Sequence, residues 1–380
     1  MTINESNTNS RIWLSPPHMS GNEQEFIEEA FKHNWIAPLG PNVNGFENDI
    51  KTYLGQNIQV TVLSSGTAAI HLALILLGVK QDDEVICQTK TFVASVNPVK
   101  YLGAKPILVD SEEETWNLCP ILLEKAIKDR INKGKKPKAI IAINLYGMPY
   151  KVQQIQEISN RYNIAVIEDS AEAFGSQVNN QKCGTFGDFS ILSFNGNKII
   201  TTSGGGALIS KNQTLKKKAV FLASQAKEDG IEYSHQTLGY NYRMSNISAG
   251  IGRGQMKVLD KHVALRRRNY EYYQKHLRAI KTIQFTQEPE GFYSNRWLSC
   301  VLVDSKETRD KLMNLLAKNN IEARPSWKPM HLQTLYKDAP SYLNGVSNKL
   351  YERGLCLPSG SNLSETDLKR ITDLIISYFE

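Results

Sequence analysis

The chain has 380 residues, 41% of them hydrophobic and 22% charged, enough to bury a sizeable core as two domains or one large domain with an appendage. No stretch approaches the roughly 18 apolar residues that cross a bilayer, and the polar start MTINESNTNSR lacks an apolar signal core, so no membrane partner and a cytoplasmic location are expected. The formal charge of +7 suits a small anionic substrate, whereas the basic runs at 133–138 and 216–218 lack interleaved aromatics and read as solvated helix ends and loops, so no nucleic-acid partner is expected.

Residues 1–11 read as a flexible tail, 16–21 as a loop and 23–33 as a helix. The segment 35–43, WIAPLGPNV, holds two prolines and a glycine and reads as irregular, either lining a site or acting as a plain connector. From residue 60 the rhythm becomes regular. Strands at 60–64, 84–88, 106–110, 139–145 and 165–168 alternate with helices at 67–77, 92–102, 121–131 and 152–162. Strands at 189–194 and 207–210 and a helix at 215–224 complete this unit. Apolar strands alternating with helices argue for a mainly parallel sheet covered on both faces, with ligands at the carboxyl ends of its strands. A loop at 230–242 and one long helix at 247–276 lead to a smaller α+β part. That part has a β run at 297–303, a helix at 308–318, an extended stretch at 322–327 and helices at 342–353 and 365–379, the last with Ser364 as N-cap. The expected division is a large domain at 1–245 and a bridging helix with a small domain at 246–380.

Five cysteines, Cys87, Cys119, Cys183, Cys300 and Cys356, are scattered with no CxxC pair, so reduced thiols are expected and no metal cage. Five short stretches can carry chemistry. SSGTAA at 64–69, between a strand and a helix, is either a phosphate cup at a helix N-terminus or an ordinary N-cap. In QTKTFVAS at 88–95, Phe92 either stacks on a flat ring or joins the core. EDSAE at 168–172 ends an apolar strand, where a carboxylate can hold a ring nitrogen protonated, bind a metal or cap a helix. In SFNGNKIITTSGGGA at 193–207, Lys198 is a candidate amine nucleophile followed by glycines that permit close backbone approach. LGYNYRM at 238–244 offers an amide and a guanidinium for anions. ARPSWKPMHLQ at 323–333 brings Arg324, Lys328 and His331 near a tryptophan, as either a nucleotide-diphosphate patch or a surface loop.

Taken together in this order, SSGTAAIHLAL, TFVAS, IEDSAEAFGS, GTFGDFSILSFNGNK, LGYNYRMSNISAGIG and KPMHLQ strongly resemble the DegT/DnrJ/EryC1/StrS family of pyridoxal 5'-phosphate (PLP) dependent sugar aminotransferases. The resemblance runs over nearly the whole chain, 12–379. It implies PLP fold type I, aspartate aminotransferase-like: a large α/β domain with a mainly parallel seven-stranded sheet, plus a smaller C-terminal α+β domain. It implies that Lys198 is the Schiff-base lysine and that Asp169 pairs with the pyridine nitrogen. Gly66, Thr67 and Ser193 would hold the phosphate, Phe92 would stack on the ring, Glu172 would lie beside the cofactor, and Ala68 and Asn195 would also bind it. Asn241 and Arg243 would reach the phosphate of a neighbouring subunit, which implies a homodimer with shared sites. Two positions depart from the family wording, Asn195 standing for a histidine and Ser203 for a glutamate. The wording FNGNKIITTSGGG and WKPMHLQ resembles the subgroup acting on UDP-linked 4-keto-6-deoxy-N-acetylhexosamines. That likeness implies L-glutamate as donor and Arg324, Lys328 and His331 at the nucleotide sugar. GDP- or dTDP-linked keto-sugars, and a non-catalytic PLP-binding protein, stand as the rival expectations.

Overall fold

A computed structural model describes residues 10–55 and 57–380; the tail expected at 1–11 falls outside them up to residue 9. Seven five-residue strands build the main sheet: β1 Gln59–Leu63, β2 Glu84–Gln88, β3 Lys105–Val109, β4 Ala139–Ile143, β5 Ala165–Asp169, β6 Phe189–Ser193 and β7 Gly206–Ser210. Their order is β1-β7-β6-β5-β4-β2-β3, and β7 alone runs against both its neighbours. The remaining pairs are parallel, as continuous apolar runs require when helices cover both faces. Three clusters of buried side chains fill those faces. One holds Leu63, Leu72, Ile141 and Ile167, a second Ile86, Ile107, Ile140 and Val166, and a third Val60, Val62, Leu192 and Ala207.

The sheet is one strand wider than expected. Ser341–Tyr342, from the C-terminal part, pairs parallel with β3 at Leu108 and Val109 as an eighth strand. The helix expected from 342 therefore starts later, at Val346–Arg353. Asp110, buried at the end of β3, fixes this junction by accepting from the backbone N–H groups of Asn344, Gly345 and Ser347, each at 3.0 Å.

Three more elements differ from expectation. The segment read as irregular leads directly into a helix, Pro41–Leu54, with proline at its first turn where no N–H is needed. The helix expected at 92–102 is a 3-10 turn, Val93–Ser95, followed by the short helix Asn97–Tyr101. The long helix is two, Asn246–Met256 and Leu259–Leu277, broken at Lys257 and Val258. The first is glycine-rich because it packs closely under its neighbours. A Cβ at Gly252 would lie 2.5 Å from the Phe46 ring, and one at Gly254 would lie 2.6 Å from the Glu23 backbone.

The smaller sheet is antiparallel and joins Gln284–Phe285, Ser299–Leu302, Gly354–Leu357 and Arg324–Pro325. Its own core gathers Leu312, Leu316, Leu355, Leu368 and Ile371. Ser364 caps Glu365–Phe379 in a reciprocal box with Asp367.

Candidate active site

A cavity of about 720 Å³ opens at the carboxyl ends of β1, β2, β5 and β6 and is closed on its far side by residues of the C-terminal part. On one wall the helix Gly66–Leu76 points its N-terminus inward. Ser65 Oγ accepts from Ala68 N at 3.0 Å, so Ala68 is committed to the cap. The first-turn N–H groups of Gly66 and Thr67 have no partner within the helix and carry its positive end. Ser193, at the end of β6, lies beside them: a Cβ on Gly66 would sit 3.5 Å from Ser193 Oγ. The helix can come this close because Gly206 faces Ser193 across the β6–β7 register. A Cβ on Gly206 would meet Gly66 N at 2.4 Å. Two N–H groups, a hydroxyl and a helix dipole converging on one concavity suit a phosphate.

On the floor, Asp169 ends β5 and is buried. Ser95 Oγ donates to its Oδ2 at 2.7 Å and Ala171 N to its Oδ1 at 3.1 Å. Burial pushes its pKa up, against those hydrogen bonds and the pull of Lys198. Its sequence neighbour Glu168 points the other way. There it accepts from Asn144 Nδ2, Ser170 Oγ, Ser190 Oγ and the N–H groups of Gly184, Phe186 and Gly187, holding the 184–190 turn.

Lys198 projects into the same cavity. Its Nζ donates to Glu172 Oε1 at 3.2 Å and lies 4.2 Å from the centre of the Trp297 ring. Glu172 Oε2 accepts from Tyr146 N at 2.8 Å, a contact that depends on Tyr146 holding φ 55. Burial raises the Glu172 pKa to about 7, Lys198 opposing. The turn carrying Lys198 is pinned from behind: Asn197 O accepts from Ser15 Oγ and from Trp297 Nε1, each at 2.7 Å. The buried Arg266 donates to Trp297 O at 2.7 Å and Ser15 Oγ at 3.0 Å. Asn195 lines the cavity, and Ser203 takes a positive φ of 72 just before the cavity residues Gly204 and Gly205.

Phe92, half exposed, faces Trp327 across the mouth with ring centres 5.5 Å apart. Arg324 and Lys328 line the cavity beyond it, Arg324 paired to Glu322 at 2.7 Å. His331 does not line it. Its Nδ1 lies 2.8 Å from Thr89 Oγ1 and its Nε2 2.9 Å from Asn348 Oδ1, which makes it a strut. Asn241 and Arg243 also lie outside this cavity, Arg243 bound to Glu47 at 3.2 Å.

A model of the DegT/DnrJ/EryC1/StrS aminotransferase family matches residues 17–376. The chain belongs to that family. It is therefore an aminotransferase with PLP as cofactor. Among relatives of this family is EpsN of Bacillus subtilis (strain 168), whose name assigns it as a pyridoxal phosphate-dependent aminotransferase. It is 47% identical over 373 residues, covering 97% of this chain and 96% of that one. A GDP-perosamine synthase of Escherichia coli O157:H7 is 37% identical over 365 residues, covering 96% and 97%. A solved DegT DnrJ EryC1 StrS aminotransferase from Brucella abortus superposes with a TM-score of 0.88 at 28% identity, covering 94% and 95%.

The cavity fits that cofactor: an amine, a buried carboxylate lacking a bonded cation, and an empty-handed helix N-terminus lie around one space. Sequence reasoning missed Ser95, Tyr146, Trp297 and Arg266. Ser95 lay within a motif already noted, TFVAS; the other three carry no local signal, because each reaches the site from a distant part of the chain.

Proposed function

We propose that this chain transfers the amino group of L-glutamate to C4 of a UDP-linked 4-keto-6-deoxy-N-acetylhexosamine, for an amino sugar of a surface polysaccharide or glycoprotein. It works in the cytoplasm, as a homodimer. The observation that carries the reading is one continuous cavity lined both by Lys198, Glu172 and Asp169 and by Arg324, Trp327 and Lys328. PLP supplies an electrophilic carbon for amines and an electron sink for the bond being broken.

The residues divide the work. Lys198 Nζ tethers the cofactor and, when free, moves a proton at the donor carbon. Glu172 keeps that amine oriented and accepts a hydrogen bond from it. Asp169, buried and without a bonded cation, orients and holds positive the ring nitrogen. Gly66, Thr67 and Ser193 bind the phosphate, with Asn241 and Arg243 serving the site of the second subunit. Phe92 covers the ring face, and Arg324 and Lys328 bind the diphosphate. No helix among the described residues is long and apolar enough to cross a membrane.

A GDP-linked substrate is the second reading, favoured by the relatives named GDP-perosamine synthase. The non-catalytic alternative is not favoured. The test starts from the visible spectrum of the purified holoenzyme and of Lys198→Ala with excess L-glutamate. Glutamate should bleach the wild-type band and leave the variant unchanged. A panel of UDP-, GDP- and dTDP-linked 4-keto sugars then assigns the acceptor. An unresponsive wild-type band removes glutamate as donor, and amination of the GDP sugar alone removes the UDP reading.

A further inference from the structure

Part of the cavity lining is the segment 324–328, which brings Arg324, Ser326, Trp327 and Lys328 to it. Its first two residues are strand-paired with Gly354–Leu357, and Ser326 N donates to Gly354 O at 2.8 Å. Beyond Ser326 the chain leaves that sheet, and the end of β2 takes over its support. Lys90 is completely buried there, its Nζ donating to Ser326 Oγ and to Trp327 O, both at 3.0 Å. Thr89 extends the grip, its O accepting from Met330 N at 2.7 Å and its Oγ1 from His331 N at 3.2 Å.

Both acceptors of the Lys90 ammonium are neutral, and burial pushes its pKa down to about 7. An ammonium so placed costs folding free energy that an apolar side chain of the same length would not. What it adds is direction. Ser326 Oγ has already given its proton to Leu350 O at 2.6 Å, so it can only accept, and the Trp327 carbonyl is drawn toward the sheet. That turns the Trp327 ring against Phe92 and Tyr146, with centres 5.5 and 5.0 Å apart, and leaves Lys328 at the cavity.

We propose that Lys90 is a positioning residue for the nucleotide end of the acceptor: its buried Nζ, donating to both, holds Ser326 and Trp327 in the conformation that binds a nucleoside diphosphate. This rests on the nucleotide-sugar reading above. The hydrogen bonds of Lys90 go to Ser326 and Trp327 and not to Lys198, Glu172 or Asp169, so the amino-donor step feels it only at second hand.

The test is Lys90→Met in the holoenzyme, with two readouts: bleaching of the visible band by L-glutamate, and the affinity for UDP, GDP and dTDP by calorimetry. Methionine relieves the buried charge and orphans one carbonyl, so the fold is expected to hold. The expected result is nucleotide affinity weakened about tenfold, the scale of one hydrogen bond, with the bleaching rate changed by clearly less. Unchanged nucleotide affinity, or equal loss of both readouts, overturns the proposal. If wild type binds GDP or dTDP and not UDP, the UDP reading falls and Lys90 is judged by the same ratio on that nucleotide. Binding of none of the three overturns both. Should Lys90→Met not fold, Ser326→Ala, which removes one of the two acceptors, decides: weakened nucleotide affinity supports the proposal and unchanged affinity sinks it.

Discussion

Replacing Glu168 by glutamine tests how the floor of the cavity is built. The carboxylate takes three donors on each oxygen. Asn144 Nδ2, Ser170 Oγ and Gly184 N bind Oε1; Phe186 N, Gly187 N and Ser190 Oγ bind Oε2. Glutamine puts an NH2 group where one of those oxygens was, and either orientation turns a donor toward a buried backbone N–H. The hydroxyls can rotate to accept, but Asn144 Nδ2 and Gly184 N on one oxygen, or Phe186 N and Gly187 N on the other, cannot. One orphaned N–H costs about 1 to 3 kcal/mol, and the surviving bonds lose charge assistance of about 1 kcal/mol each. Relief of the buried charge offsets part of this, leaving a net loss of about 3 kcal/mol. The thermal midpoint of the cofactor-free protein should fall, and amide hydrogen exchange across 184–190 should accelerate more than exchange in β1 or β3. Unchanged protection at Gly184 and Phe186 would refute the argument that this carboxylate organises the turn.

Glu172→Gln should change the pH dependence of stability. Burial lifts this acid from the ordinary 4.5 to about 7 in the folded chain, so the folded state holds its proton longer than the unfolded state. Its contribution therefore falls as pH rises from 4.5 through 7. Denaturation of the cofactor-free proteins should show the variant gaining on wild type by about 1 to 3 kcal/mol between pH 5 and pH 8, and parallel curves would sink the assignment. Gly206→Ala puts a methyl group against Gly66 N and Ser65, which should cost about 2 kcal/mol and release cofactor on gel filtration. Retention of the visible band at the wild-type midpoint would contradict the close approach. Ser95→Ala removes the 2.7 Å donor to Asp169, which should raise that acid's pKa further and weaken cofactor binding about fivefold in equilibrium dialysis. Unaltered affinity would mean that Ala171 N alone suffices.

The sheet was legible because its strands are five-residue apolar runs set between helices; Asp169 and Ser193 end two of those strands, and Lys198 sits in the turn that follows the second. The helix Pro41–Leu54 was not, since its proline and the glycine before it advertise a turn while its buried Val43, Phe46 and Ile50 follow later. The break at Lys257 and Val258 carries no capping residue, so an unbroken helix was the natural reading. His331 has the chemistry of a ligand but spends both nitrogens on Thr89 and Asn348, contacts 242 and 17 residues away that no local pattern encodes. Trp297 beneath Lys198 and Lys90 behind Trp327 escape sequence reading for the same reason. Each becomes meaningful only when the C-terminal part folds back over the sheet.

That fold-back has a consequence for how the protein is made. Ser341–Tyr342 covers the outer edge of β3, and Asp110 beside it spends its carboxylate on the turn before Val346. A nascent chain has emitted all seven main strands well before residue 341 leaves the ribosome. Until then β3 offers an open row of backbone groups, the kind of edge that recruits a strand from another molecule. Synthesis that stalls after residue 300 would thus yield a sheet that is nearly complete and adhesive, whereas the finished chain carries its own cover.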